Sequence, residues 1–171
     1  MPHMGDLVSE MLASSGVEVV FGMPGGQTTA LHDGISRRTN RIRHVLMRDE
    51  RNAAYAADAY ARLTGKPGVC DVTVGPGANL LPAGLLEALN ASIPMIAIVG
   101  EVPLDWLQLR DKGIASQGFD QLAFFKTCTK ESWLVPSVSA LPDILRTAFR
   151  VATAPRPGPV AVIIPHDIFD A

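Results

Sequence analysis

The sequence predicts a doubly wound α/β domain, with a six-stranded, mostly parallel sheet and helices on both faces. Three observations point there. Short apolar runs alternate with segments of helical apolar spacing along the whole chain. Glycine-rich turns follow several of the runs, at the strand ends where this architecture places ligands. The 171 residues suit one domain with a single sizeable core.

Taken in order, Leu7, Val8, Met11 and Leu12 lie at helical spacing, and Gly16 ends that helix. Val17 to Phe21 follows as a short buried strand, and Gly22 to Gly26 is a glycine-rich turn before a helix from Thr28 to about Arg38. Ile42 to Met47 is the second strand. The alanine-rich run from Glu50 to Leu63 has strong helix propensity, and Gly65 and Pro67 break it. Gly68 to Val74 is a strand closed by the sharp turn Gly75-Pro76-Gly77, after which Ala78 to Asn90 is helical and Pro94 to Val99 is again a strand. Gly100 to Gly118, with Pro103 and Gly113, reads as a long irregular connection, and connections of that length are more often functional than mere links. Phe119 to Phe125 is a short helix, Thr127 to Val135 a strand, Ser139 to Ala152 a helix and Pro159 to Ile164 the last strand.

Composition excludes several classes. Hydrophobic residues make up 47% and charged residues 19%, a globular rather than a disordered balance. The 15 basic and 17 acidic residues are spread along the chain for a net charge of -2, so no electrostatic footprint for nucleic acid or an anionic membrane is present. Cys70 and Cys128 form no CxxC pair, which argues against a disulfide framework or zinc site and fits a reducing cytoplasm. Met1 to Glu10 carries Asp6 and Glu10 rather than a signal-peptide pattern, and no apolar run reaches the ~18 residues that span a bilayer. His3, His32, His44 and His166 are scattered, which favours surface or core positions over a catalytic cluster, and no metal-ligand set is read from them.

The turns that follow strands are Gly22 to Gly26, Asp49-Glu50, Gly75 to Gly77 and Gly100-Glu101. A dinucleotide fingerprint starting at Gly75 fails, because its third glycine would fall at Leu80. Glu50 has two readings. A carboxylate in the first turn of a helix is favoured by the exposed backbone N–H groups, with Asp49 as the cap. The same carboxylate also stands at a strand's carboxyl end, where ligands collect. Ala53, Ala54, Ala56, Ala57, Ala59 and Ala61 either raise helicity or permit close packing, inside the domain or across a dimer.

Four segments form an ordered set: Phe21-Gly22-Met23-Pro24-Gly25-Gly26, Arg48-Asp49-Glu50, the run from Ala56 to Gly68, and Gly75-Pro76-Gly77-Ala78. Ser92-Ile93-Pro94 and Arg156-Pro157-Gly158-Pro159-Val160 extend it over almost the whole chain. In order and spacing the set resembles the N-terminal, pyrimidine-binding domain of thiamine-diphosphate-dependent enzymes such as the acetolactate synthase large subunit. The resemblance implies a 2-keto-acid decarboxylase or carboligase with a flavodoxin-like sheet. Glu50 matches the family glutamate that hydrogen-bonds N1′ of the aminopyrimidine ring and favours the tautomer that takes the C2 proton. Gln117 matches a glutamine near the reacting centre. Pro24, Gly25 and Gly26 match a loop lining the cleft, and Gly75, Pro76 and Gly77 match the turn beside the cofactor.

Two departures stand out. Ser116 occupies a position where acetolactate synthases usually have phenylalanine, and Asn79-Leu80 one where they usually have threonine and asparagine. The family holds the diphosphate through Mg²⁺ with a Gly-Asp-Gly motif in a separate domain, whereas the one Gly-Asp here, Gly5-Asp6, precedes Leu7. A middle domain carries FAD in several relatives. The expectation is therefore a domain of a longer chain, or one subunit of a split enzyme, inactive without its diphosphate-binding partner domain, and a homodimer in the full enzyme. The alternative is a non-catalytic interaction or ligand-binding module on the same fold, indifferent to loss of the Glu50 carboxylate.

Overall fold

In the computed structural model, which describes residues 3–171, the strands are β1 (Val19–Gly22), β2 (Arg43–Leu46), β3 (Gly68–Val72), β4 (Met95–Glu101), β5 (Glu131–Leu134) and β6 (Pro159–Pro165). They form one sheet in the order β2-β1-β3-β4-β6-β5, and every pairing is parallel, so the expected "mostly parallel" sheet is wholly parallel. All seven residues of β4 and of β6 are buried, as expected for the centre of a sheet covered on both faces.

The helices are α1 (Met4–Ser14), α2 (Thr29–Ser36), α3 (Glu50–Thr64), α4 (Pro82–Ala91), α5 (Leu107–Asp111), α6 (Gln121–Phe125), α7 (Leu141–Thr153) and α8 (His166–Phe169). Side-chain alternation along the strands sorts them into two layers. Val20, Val69, Ile96, Ile98, Val160 and Val162 pack beneath α1, α2, α7 and α8, while Cys70, Val72, Met95, Ala97, Val99 and Ile163 pack beneath α3, α4 and α6. The doubly wound expectation holds.

The alanine face of α3 serves close packing within the domain. Ala53, Ala54, Ala57 and Ala61 are buried, whereas Ala59 is exposed. A Cβ on Gly68 would lie 2.0 Å from the Ala57 carbonyl oxygen, and one on Gly84 would lie 2.6 Å from the Ala54 Cβ. Alanine on the helix and glycine on β3 and α4 thus let three backbones approach together. Asp49 caps α3 by accepting from the Arg51 N–H, and Gly65 closes it in the left-handed conformation at φ 71°.

Three segments differ from expectation. The 100–118 connection is not irregular throughout: Glu101 extends β4, Leu104–Trp106 forms a 3₁₀ turn, and α5 follows before Gly113 at φ 72°. Arg110 of α5 is buried against Glu101 at 3.0 Å, a long-range pairing that organises the segment despite Pro103. The fifth strand is shorter, because Thr127 to Lys130 stays tied to α6 through the Thr127 and Thr129 hydroxyls, which donate to Phe124 and Phe125 carbonyls. The helix expected from Ala78 opens as a 3₁₀ turn, Ala78–Leu80, and becomes α-helical at Pro82, a residue suited to a first turn.

α1 and α2 are joined by an ion network centred on Asp6, whose side chain is 12% exposed and accepts from Arg37 at 2.8 Å and Arg38 at 3.0 Å. Burial pushes the Asp6 carboxyl up, but the bonds from Arg37 and Arg38 outweigh it and hold it at about 2, below its ordinary 3.8. The folded value lies below the unfolded one, so this stabilisation is present above pH ~4 and is lost as pH falls through about 2. After allowance for solvent screening it is on the order of 1 kcal/mol. Urea midpoints measured from pH 5 to pH 2 should fall less steeply for Asp6→Asn than for the parent; parallel slopes would remove Asp6 as a source of acid lability.

Candidate functional site

At the carboxyl edge of the sheet the turns after β1 and β3 and the end of β4 lean on one another. A Cβ on Gly25 would meet the Thr73 Cβ at 2.3 Å, and one on Gly100 would meet the Gln27 Cβ at 2.9 Å. The Thr73 hydroxyl donates to Gln27 Oε1 at 2.7 Å. The Pro24 to Gln27 segment is thereby seated on the ends of β3 and β4. Within it Gly25 is the packed residue, while Pro24 and Gly26 are exposed.

The Gly75-Pro76-Gly77 turn is held from the opposite side. Gly75 has φ 72°, and a Cβ there would lie 2.2 Å from the Gln117 carbonyl oxygen, so glycine is required both by conformation and by space. Gln117 itself sits at φ 61°, an uncommon conformation for a residue with a side chain. Gln121, fully buried, bridges the layers: its Oε1 accepts from the Gly75 N–H at 3.2 Å and its Nε2 donates to the Gly100 carbonyl at 2.9 Å. Gly75, Pro76, Asn79, Gln117, Gly118 and Phe119 line a cavity of about 370 Å³.

Glu50 approaches the same turn from the helix side. As the first residue of α3, after the Asp49 cap, it is 7% exposed. A Cβ on Gly77 would stand 3.0 Å from Glu50 Oε1 and 3.1 Å from the Val72 Cγ2. The carboxylate therefore lies against a turn stripped of side chain, with apolar Val72 beside it. The capping bond is made by Asp49, and the Glu50 carboxylate, in the first turn of the helix, faces the Gly77 turn.

Of the residues expected from sequence, Glu50 and Gly77 come together, Gln117 joins Gly75 and Pro76, and Gly25 packs below them on Thr73. No local signal in the sequence marks Gln121 or the buried Glu101–Arg110 pair, although the Gly100-Glu101 turn follows a strand. Burial pushes the Glu101 carboxyl up, only partly offset by the Val102 N–H and by Arg110. Cys70 and Cys128 are buried free thiols, and desolvation pushes Cys128 up to about 11 and Cys70 further, so neither is a ready nucleophile at neutral pH. Among the described residues, no helix is long and apolar enough to cross a membrane.

An open parallel sheet that gathers a buried carboxylate and turns without side chains at its carboxyl edge defines an α/β domain for a small ligand or cofactor. The chain belongs to the family described as thiamine pyrophosphate enzyme, N-terminal TPP binding domain, which residues 2–124 match. It is 43% identical over 169 residues to acetolactate synthase 2, chloroplastic, of Brassica napus, covering 98% of this chain and 26% of that protein. It is 45% identical over 161 residues to the acetolactate synthase isozyme 2 large subunit of Escherichia coli K12, covering 94% of this chain and 28% of that protein. A probable acetolactate synthase large subunit of Methanocaldococcus jannaschii is 36% identical over 165 residues, covering 96% and 27%. The chain thus spans about a quarter of the length of the curated relatives it matches.

Proposed function

We propose that this chain holds the aminopyrimidine ring of thiamine diphosphate against Glu50, as one half of a cofactor site in a 2-keto-acid decarboxylase or carboligase. The observation that carries the reading is the buried Glu50 carboxylate set against the side-chain-free Gly77, in the same turn whose Gly75 and Pro76 line the cavity of about 370 Å³. A flat ring that needs one carboxylate at its edge and close approach of backbone suits a turn without side chains beside a buried carboxylate.

When bound, the cofactor supplies the electron sink for cleaving a bond next to a carbonyl. The chain's own groups supply placement and proton control. With the ring bound, Glu50 would share a proton with a ring nitrogen, and the apolar Val72 at the same turn would help keep that bond out of bulk water. Gly75, Pro76 and Gly77 form the floor, fixed by the Gln121 bridge to Gly100. The Pro24, Gly25 and Gly26 turn forms a wall anchored by Thr73 and Gln27. Gln117, at the rim of the 370 Å³ cavity, offers an amide to a substrate carboxylate or carbonyl.

The diphosphate and its Mg²⁺ fall to another domain, of the same chain or of a partner subunit in a homodimer, and FAD, where present, to a third. Asn79 lines the cavity and Ser116 adjoins Gln117, so the two departures from the acetolactate synthase pattern fall where substrate would be selected. The reading is tested by following carbon dioxide release from pyruvate and longer 2-keto acids by the full protein with thiamine diphosphate and Mg²⁺. Cofactor-dependent release is expected for at least one; tight cofactor binding without any turnover would favour the non-catalytic module.

A further inference from the structure

Beneath the β1 turn, on the α2 face of the sheet, His32 from α2, His44 from β2 and Asp71 from β3 converge. The expectation of scattered histidines with no ligand set is thereby corrected for His32 and His44, which the packing of α2 and β2 on β3 brings to one carboxylate. His44 Nε2 lies 2.6 Å from Asp71 Oδ1, and His32 Nε2 lies 2.8 Å from Asp71 Oδ2. The imidazoles stand edge to face with centroids 4.4 Å apart. One ligand atom from each residue falls within 4.8 Å of the other two.

The setting is built around the carboxylate. Asp71 is fully buried in the middle of the sheet, flanked in register by Gly22 of β1. A Cβ on Gly22 would lie 2.0 Å from Asp71 Oδ1, so glycine is what opens the space between β2 and β3. A buried charge in an otherwise apolar strand is destabilising unless it is paired or coordinates a metal. The pairing is incomplete: despite their closeness, His32 Nε2 and Asp71 Oδ2 are misaligned, and both are buried atoms without a hydrogen-bond partner among the described residues.

We propose that His32, His44 and Asp71 form a binding site for a divalent transition-metal cation, of the Zn²⁺ or Fe²⁺ class. Two imidazoles and one carboxylate suit such ions and disfavour Mg²⁺, which prefers oxygen ligands and retained waters. Zn²⁺ ligand lengths of about 2.0–2.1 Å place tetrahedral neighbours roughly 3.3 Å apart, so contacts now at 2.6 and 2.8 Å open by about half an ångström on binding. The cation takes the place of the hydrogen bond between His44 Nε2 and Asp71 Oδ1, with His44 coordinating as the neutral tautomer that carries its proton on Nδ1. The His32 and His44 side chains are 16% and 13% exposed, so the cluster lies close to the surface although its ligand atoms face inward. The ion would tie α2, β2 and β3 together directly below the Gly22 to Gly26 turn. None of its three residues belongs to the Glu50–Gly77 contact or to the cavity lined by Gln117.

The test is Co²⁺ binding to the full protein already saturated with Mg²⁺ and thiamine diphosphate, followed by visible absorption and by metal content after gel filtration. One equivalent of Co²⁺ with a ligand-field spectrum, competed by Zn²⁺, is expected, and both His32→Gln and His44→Gln should weaken it by about 100-fold or more. No Co²⁺ uptake by the parent, or the same affinity in parent and both variants, would overturn the proposal. Should His44→Gln fold poorly, His32→Gln carries the test alone, because its side chain leaves from a helix and not from the sheet.

Discussion

Glu50→Gln should slow exchange of the thiamine diphosphate C2 proton by at least about two orders of magnitude in the full protein, while leaving the fold unchanged. Glutamine matches glutamate in size, so the close contact with the Gly77 turn is kept. The amide can still hydrogen-bond a ring nitrogen, but it cannot hold a proton and return it, which is the step that positioned acid–base groups accelerate by about 10² to 10⁴. Stability should change little. Loss of a negative charge in the first turn of α3 removes a favourable dipole interaction of about 0.3–1 kcal/mol, yet the capping bond belongs to Asp49 and remains. Exchange is measured by quenching in deuterium oxide, and melting temperature is measured in parallel. A variant that exchanges at the parental rate would take Glu50 out of the chemistry; one that also melts much lower would return it to a structural role.

Gly68→Ala is the substitution expected to damage the fold most for its size. The new methyl would lie 2.0 Å from the Ala57 carbonyl oxygen and 2.6 Å from its carbon, both backbone atoms in the middle of α3. Neither can rotate away, so α3 must shift from β3 as a unit. Overpacking of this kind destabilises by about 1–3 kcal/mol where side chains can adjust, and with backbone on the far side the upper end applies. A loss of about 3 kcal/mol corresponds to a fall in melting temperature of roughly 6–12 °C for a domain of this length. Gly65→Ala is the control: it has a positive φ of 71° but nothing within 4 Å of its Cβ, so it should lose only about 1 kcal/mol through backbone strain. If the two variants melt together, steric conflict at the α3–β3 contact is not what limits stability. Because α3 also carries Glu50, Gly68→Ala should lower the rate of C2-proton exchange without touching the carboxylate itself.

Most of the fold could be read from local pattern. The apolar runs that became β3, β4 and β6 are near-continuous because both faces of the sheet are covered, and the alanine-rich α3 was bounded by a cap at Asp49 and a stop at Gly65. Glu50 at the head of that helix, and the Gly75 to Gly77 turn, were legible for the same reason: a strand end followed by a helix start occurs within a few residues. The 100–118 connection reads as irregular in sequence because Pro103 and Gly113 are strong local punctuation, whereas the contact that orders it, Arg110 on Glu101, is tertiary.

What the sequence by itself determined was the alternation of strand and helix, the places where the chain must turn, and the ordered motif set that marks the family. These depend on propensity, period and spacing, all of which act over short stretches of chain. The tertiary structure decided the rest. It set Gln121 between Gly75 and Gly100, pressed Glu50 against Gly77, and brought His32 and His44 to Asp71 across Gly22. Those meetings join residues about 20 to 50 positions apart through the order of strands in the sheet, and strand order is an outcome of packing the whole core rather than of any local signal.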